Sequence, residues 1–189
     1  MKHIEKEHVP DFFHDFIIAN HPENWNDLAP IRSQLRTYIL ENEQRNQCAY
    51  TELPLNAECS HIDHYKKQDL FHHLIFEYTN MLVSCNAEEY GAKYKDKCIK
   101  KDIAPYAGLV NPVADNPSDY LEFAYTGEVL AKNEKGQKTI EFFNLNHKSL
   151  VEKRKSIAVY IGNCKGYISA EEMFQEIRQF ETMIYQLME

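Results

Sequence analysis

The apolar residues near the start of the chain recur with the spacing of an α-helix. A first group follows Pro10 and predicts a helix that ends near residues 20–22. Its members are Phe12, Phe13, Phe16 and Ile17. A second helix is predicted from Pro30, because proline favours the first turn of a helix. Its apolar stripe contains Ile31, Leu35, Tyr38 and Ile39.

The C-terminal part of the chain also shows helical periodicity. One helix is predicted over residues 148–161, and the last helix begins at a capping-box pattern, Ser169 to Glu172. The apolar positions of this last helix are Met173, Ile177, Phe180, Ile184 and Leu187. The pattern predicts that this stripe packs into the core, and a surface that binds a partner is the alternative.

Strand-like patterns appear between these helical ends. Short strands are predicted at residues 59–65 and 81–83, and a hairpin at residues 120–130 turns about Thr126-Gly127. Residues 86–101 are polar and end in a run of lysines. The predicted fold class is therefore α+β, with a small strand-containing middle between N-terminal and C-terminal helices.

The composition favours one folded domain over residues 1–189. Hydrophobic residues make up 43% of the chain, which is enough for a packed core and argues against disorder. The longest apolar runs fall short of the roughly 18 residues of a membrane span, and the first residues lack a signal-peptide core, so we expect a cytoplasmic protein without membrane contact. A net charge of −8 argues against nucleic-acid binding by the chain alone, since phosphate binding needs clustered lysine and arginine.

The five cysteines are an odd number and contain no Cys-x-x-Cys pair. Together with the absence of a secretory signal, this favours reduced thiols over a disulfide framework. A zinc site of four thiolates cannot be assembled from these spacings.

The segment from His61 to His64 carries the most specific chemistry in the chain. Here Asp63 and His64 are adjacent, and a carboxylate beside an imidazole suits metal-assisted hydrolysis, with the carboxylate holding a divalent ion and the imidazole taking a proton from water. Sixteen residues later, Asn80 opens the next predicted strand, and a polar, lysine-rich segment follows.

This order of elements resembles the HNH endonuclease family, which includes the nuclease subunit of Septu-type anti-phage systems, some of them coupled to retrons. The resemblance runs from about residue 45 to residue 155. Its matching stretches are residues 47–52, 61–65 and 76–85, the Asn111-Pro112 turn, Gly127, Thr139-Ile140, residues 144–146 and Arg154. It implies a ββα-metal core at residues 47–101, flanked by N-terminal helices (1–46), a loop and hairpin (102–147) and C-terminal helices (148–189).

The resemblance also implies roles for individual residues. Asp63 would bind Mg²⁺ or Mn²⁺, His64 would be the general base, and Asn80 would orient the loop that bears the histidine. His61 would be a supporting residue or a further ligand. The lysines at positions 93, 95 and 97 would contact nucleic acid, and a solvated charged loop is the alternative for Lys93, Lys95 and Lys97.

Two departures from the family pattern bear on metal binding. Thr51 stands where a second cysteine of the family pair is expected, and Glu88 or Tyr90 stands where the partner of Cys85 would be, so we expect the family's structural zinc to be absent. The usual helix-borne metal ligand is also missing. Glu89 is the expected replacement, with Asp96 behind it.

The leading functional hypothesis is a metal-dependent endonuclease that acts on DNA or RNA as the effector of a defence complex. The resemblance implies an ATPase partner and, in retron-coupled systems, a reverse transcriptase with its nucleic acid. One alternative is a degenerate HNH fold that serves as a non-catalytic interaction or regulatory subunit. A zinc-binding module without catalysis is another.

Overall fold

The N-terminal helices form where the apolar spacing predicts them. In the computed structural model, which describes residues 1–189, α1 spans Asp11–Asn20 and α2 spans Ala29–Tyr38, with Pro30 in the first turn of α2. A 3-10 turn at Trp25–Leu28 joins them, and a π-helical turn at Ile39–Glu43 extends α2. These elements pack against the next sheet through one buried cluster: Phe13, Leu28, Leu35, Ile39, Leu40, Tyr78, Met81 and Val83.

The middle of the chain contains two antiparallel strands and a short helix. Strand β1 (Ser60–His64) pairs with β2 (Met81–Cys85) in a register that sets Asp63 opposite Leu82. Every residue of β2 is buried, whereas His61 and Ile62 of β1 are partly exposed, so β1 forms the outer strand of this small sheet. Helix α3 (Ala92–Cys98) follows after Gly91, whose φ of +76° is a conformation that favours glycine.

The second sheet pairs β3 (Leu121–Phe123) with β4 (Val129–Ala131), at the predicted hairpin. The segment that follows was expected to be loop but contains α4 (Glu134–Phe143), with Asn133 as its N-cap residue. Helix α5 spans Lys148–Cys164, slightly longer than predicted. None of the helices is both long and apolar enough to cross a membrane.

The single helix predicted at the C-terminus is wrong, because the chain breaks there into α6 (Ala170–Ile177) and α7 (Glu181–Met188). Arg178 and Phe180 both adopt positive φ angles between them. The backbone N–H of Phe180 donates to the carbonyl of Glu52 at 2.9 Å, and the Phe180 side chain is fully buried. Long-range contacts at Phe180 therefore override the helical period.

Arg154 ties the hairpin to the C-terminal helices. Its buried guanidinium donates to the carbonyls of Gly127 (2.6 Å) and Leu145 (2.7 Å). Asn146 adds two bonds to the backbone of Val129, both at 2.8 Å. The residues that the resemblance singled out in this region thus build a scaffold around the core.

Candidate functional site

A cleft of about 180 Å³ opens beside the end of β1. We call it the His64 cleft; the residues that matter below are Trp25, His61, Asp63, His64, Lys67 and Asp96. It brings together three of the predicted site residues, all from β1. Trp25 and Asp96 reach it from outside the strand pair, from the N-terminal turn and from α3.

His64 is held in the tautomer that a general base requires. Its Nε2 lies 2.9 Å from the carbonyl oxygen of Ile75, and because a carbonyl only accepts, Nε2 carries the proton and Nδ1 keeps a lone pair. Burial lowers the pKa of His64 below its ordinary value, so the ring is neutral near pH 7. The ring of Trp25 packs edge-on against it, with centroids 4.6 Å apart.

Asn80 closes the loop that follows His64. Its Oδ1 accepts from the N–H of Lys66 at 2.8 Å, and its Nδ2 donates to the carbonyl of Lys66 at 3.0 Å. Nδ2 also lies 3.4 Å from the carbonyl of Leu74. Asn80 is buried, so these bonds fix the backbone on the C-terminal side of His64 without competition from water.

Asp63 uses one carboxylate oxygen to join the core and leaves the other without a hydrogen bond. Oδ2 accepts from the Tyr50 hydroxyl and from Lys95 Nζ, which lies 3.1 Å away. Burial and the neighbouring Asp63 raise the pKa of Tyr50 well above its ordinary value, so the phenol stays a donor. Because Oδ1 takes part in no hydrogen bond and Asp63 lines the cleft, this oxygen is available to a ligand.

Lys95 is fully buried, which corrects its expected role as a nucleic-acid contact. Besides Asp63, its Nζ donates to the carbonyls of His64 (3.2 Å) and Tyr65 (2.8 Å). Burial lowers the pKa of Lys95, but the carboxylates of Asp63 and Asp96 outweigh it and raise the pKa above its ordinary value. Lys95 is thus an internal cation that fixes the end of β1.

The other two lysines of the predicted contact lie on the surface of α3. Lys93 Nζ and Lys97 Nζ both pair with the Glu88 carboxylate, at 2.9 and 2.7 Å. Their charge is partly neutralised by this acidic neighbour. The α3 surface therefore carries less free positive charge than the run of lysines in the sequence indicates.

Asp96, rather than Glu89, reaches the His64 cleft. Asp96 Oδ1 is buried and forms an ion pair with Lys95 Nζ at 3.3 Å. Burial raises the pKa of Asp96 to about 6, against the opposing effect of Lys95. Glu89 is exposed, and its backbone carbonyl accepts from Asn144 at 2.7 Å. His61 lines the cleft, with Nδ1 2.9 Å from the Oδ1 of Asn86.

The carboxylates of the cleft fit a hard divalent cation. No group of three or more His, Cys, Asp or Glu side chains is arranged as a metal site. However, Mg²⁺ is commonly held by one or two carboxylates, with waters and substrate phosphate completing its shell. Asp63 and Asp96 both line the cleft, and their carboxylates are the donor set that would hold such an ion.

The positions that the resemblance relates to a structural zinc site meet at the other end of β2. The backbone N–H of Cys85 donates to Cys48 Sγ at 3.5 Å. A Cβ placed on Gly91 would lie 3.7 Å from Cys85 Sγ and 3.8 Å from Thr51 Cγ2. Gly91, and not Glu88 or Tyr90, therefore occupies the position of the fourth ligand in such a zinc site. Two thiols, a threonine and a glycine do not fit zinc, which takes four Cys, His or carboxylate ligands in structural sites.

Sequence reasoning missed two residues that shape the cleft. Tyr50 reaches Asp63 from thirteen residues away, and its only sequence signal is its place in a stretch that resembles the family. Trp25 lies in the N-terminal segment outside that resemblance. Its one signal is that it is the single tryptophan of the chain.

No protein-family model matches the chain. Two curated proteins are similar to it, both named Septu protein PtuB. The protein of Bacillus mycoides is 24% identical over 146 residues, which cover 64% of this chain and 50% of that protein. The protein of Bacillus thuringiensis is 28% identical over 104 residues, which cover 53% of this chain and 37% of that protein. The matched region thus spans half or less of each relative's length, and the relationship is distant.

Proposed function

We propose that this chain is an HNH-type, metal-dependent endonuclease and a subunit of an anti-phage defence complex. The observation that carries the proposal is His64, a neutral imidazole with a free Nδ1 in a cleft bordered by the carboxylates of Asp63 and Asp96. The order β1, β2 and α3 around the cleft supports the ββα interpretation. The distant similarity to Septu PtuB proteins supports the defence role.

In this proposal His64 Nδ1 takes a proton from the attacking water, while Nε2 remains bonded to the Ile75 carbonyl. Asn80 holds the loop so that the ring keeps its orientation. Asp63 and Asp96 would hold Mg²⁺ or Mn²⁺, and the ion would stabilise the charge that develops on the phosphate and the leaving oxygen. His61 is a supporting residue.

The charge distribution favours a nuclease that depends on a partner for substrate affinity. The net charge is −8, Lys95 is buried, and Lys93 and Lys97 pair with Glu88. Phosphate binding by the chain alone is therefore weak. We propose that an ATPase subunit, and in retron-coupled systems a reverse transcriptase with its nucleic acid, brings DNA or RNA to the cleft in the cytoplasm.

A phage-protection assay tests this function. His64→Ala is compared with His14→Ala, which replaces an exposed histidine on α1 outside the cleft. We expect His64→Ala to abolish protection while co-purification of the complex is unchanged, and His14→Ala to protect like the parent. Full protection by His64→Ala would refute the nuclease proposal.

One observation favours a second candidate function, a non-catalytic HNH-like subunit. Lys95 Nζ lies within 3.3 Å of both Asp63 and Asp96, and so already compensates the carboxylates that a metal would bind. Calorimetric titration with Mn²⁺ distinguishes the two candidates. The nuclease proposal predicts that the wild type binds Mn²⁺ and that Asp96→Asn does not. The non-catalytic candidate predicts that neither the wild type nor Asp96→Asn binds Mn²⁺.

A further inference from the structure

Trp25 separates the His64 cleft from a second depression of about 290 Å³, which we call the Trp25 groove. Besides Trp25, its wall contains Asn26, Gln68, Asp69, His72 and Ile75. The two depressions share Trp25, Gln68 and Asp69, so a chain lying across the cleft passes over the indole into the groove.

The indole of Trp25 is held in place while it remains half-buried at the surface. Arg32 Nη2 donates to the Trp25 carbonyl at 2.6 Å, and the guanidinium carbon lies 5.1 Å from the ring centroid. Asn24 and Asp27 form a capping box around the same turn. Arg32 lies over one face of the indole, so a base would stack on the part of the ring that borders the groove, and a ring fixed in this way loses little freedom on binding.

The groove is unsuited to phosphate and suited to a nucleobase. None of its lining residues is a lysine or arginine, and its one formal charge, Asp69, is negative. The side chains of Asn26, Gln68 and His72 make no hydrogen bonds within the protein and offer neutral donors and acceptors at the rim. In contrast, the adjoining His64 cleft contains Asp63 and Asp96, which in the proposed function would hold the metal ion that binds a phosphate. The cleft thus favours a phosphate, and the groove an apolar ring with polar edges.

We propose that the Trp25 groove binds an unpaired nucleobase next to the phosphate that is cut. The inference rests on the proposed function and narrows its substrate class to single-stranded or looped nucleic acid. Trp25 stacks on the base, and Gln68 and Asn26 reach its hydrogen-bonding edge. A base inside a duplex is stacked and paired, so it cannot enter the groove unless it is flipped out of the stack.

Because Trp25 is the single tryptophan, its fluorescence reports the contact without any cleavage. The full chain in EDTA is titrated with short single strands of DNA and of RNA, with abasic strands of equal length, and with duplexes. We expect saturable quenching by base-bearing single strands only, and the DNA and RNA arms identify the preferred sugar. An unchanged spectrum at millimolar strand, or equal quenching by abasic strands, overturns the proposal.

Cleavage by the assembled complex provides the second readout. The substrates are hairpins with an unpaired loop and duplexes of the same sequence. The proteins are the wild type, Trp25→Ala, Trp25→Phe and the control Tyr167→Ala, which removes a distant, exposed aromatic ring. We expect Trp25→Ala to raise KM for the loop roughly tenfold or more, with partial rescue by phenylalanine and no effect of Tyr167→Ala. If Trp25→Ala keeps the preference for the loop, the proposal that the Trp25 groove binds a base is refuted, while the proposed nuclease activity stands. If the wild type cleaves nothing, the proposed nuclease activity is refuted instead.

Discussion

Replacing Lys95 by methionine tests whether this residue is the internal cation that supports the site. The methionine side chain has a similar length, but it lacks the charge that faces Asp63 and the donor to the carbonyls of His64 and Tyr65. Removing one partner of a buried ion pair typically costs about 3–5 kcal/mol, since the other charge stays buried without compensation. A domain stability of about 5–15 kcal/mol makes this a large fraction of the total.

The assay is urea denaturation of the wild type, Lys95→Met and Lys97→Met. With a urea dependence of about 2 kcal/mol/M, the midpoint of Lys95→Met should fall by about 1.5–2.5 M. Lys97, which is largely exposed, is the matched control, and its substitution should change stability by less than about 0.5 kcal/mol.

The double variant Asp63→Asn/Lys95→Met isolates the electrostatic part of the stability lost in Lys95→Met. The neutral asparagine removes the uncompensated charge, so the double variant should be more stable than Lys95→Met alone by at least about 1 kcal/mol. Equal midpoints for Lys95→Met and the wild type, or no gain in the double variant, would refute the role of Lys95 as a compensating cation.

The remaining predictions concern the cleft, the hairpin and zinc. Asp96→Asn should reduce metal-dependent cleavage at least about tenfold at limiting Mn²⁺, whereas Glu89→Gln should not, because Asp96 lines the cleft and Glu89 does not. Steady-state cleavage rates measured against Mn²⁺ concentration check this prediction. An equal loss of cleavage in both variants would contradict the assignment of Asp96 as a metal ligand. Gly127→Ala should destabilise the fold by about 1–3 kcal/mol or more, because the φ of Gly127 is +88° and the new Cβ would lie 2.3 Å from the Val151 carbonyl. Gly162→Ala, with open space around the new Cβ, should not destabilise the fold. Thermal melting of both variants measures this, and similar melting temperatures would contradict the prediction. Elemental analysis of purified protein should find less than one zinc per chain, and stoichiometric zinc would contradict our interpretation of Thr51 and Gly91.

Local patterns in the sequence were sufficient to place the strands around the site. Asp63 and His64 lie at the end of β1, and Asn80 directly precedes β2, because short alternating segments between turns specify strands and their ends. The class α+β is confirmed by the seven helices and two small antiparallel sheets. The N-terminal helices and the hairpin also agree with their spacing.

Features that depend on long-range contacts could not be predicted from local patterns in the sequence. Glu89 was the expected replacement for the helix-borne metal ligand, but α3 begins only after Gly91, so Glu89 lies before the helix and Asp96, within it, lines the cleft. The break at Phe180 depends on the Glu52 carbonyl, which is distant along the chain. Trp25 reaches His64 only because the N-terminal turn packs across the end of β1.

Cleavage by the purified complex tests the central claim most directly. The wild type, His64→Ala and His14→Ala are each incubated with DNA and with tRNA in Mg²⁺, Mn²⁺ or EDTA, after circular dichroism has shown that all three are folded. We predict metal-dependent cleavage by the wild type and His14→Ala, and a loss of at least about a hundredfold in His64→Ala. Cleavage by His64→Ala at the rate of the wild type would contradict the account.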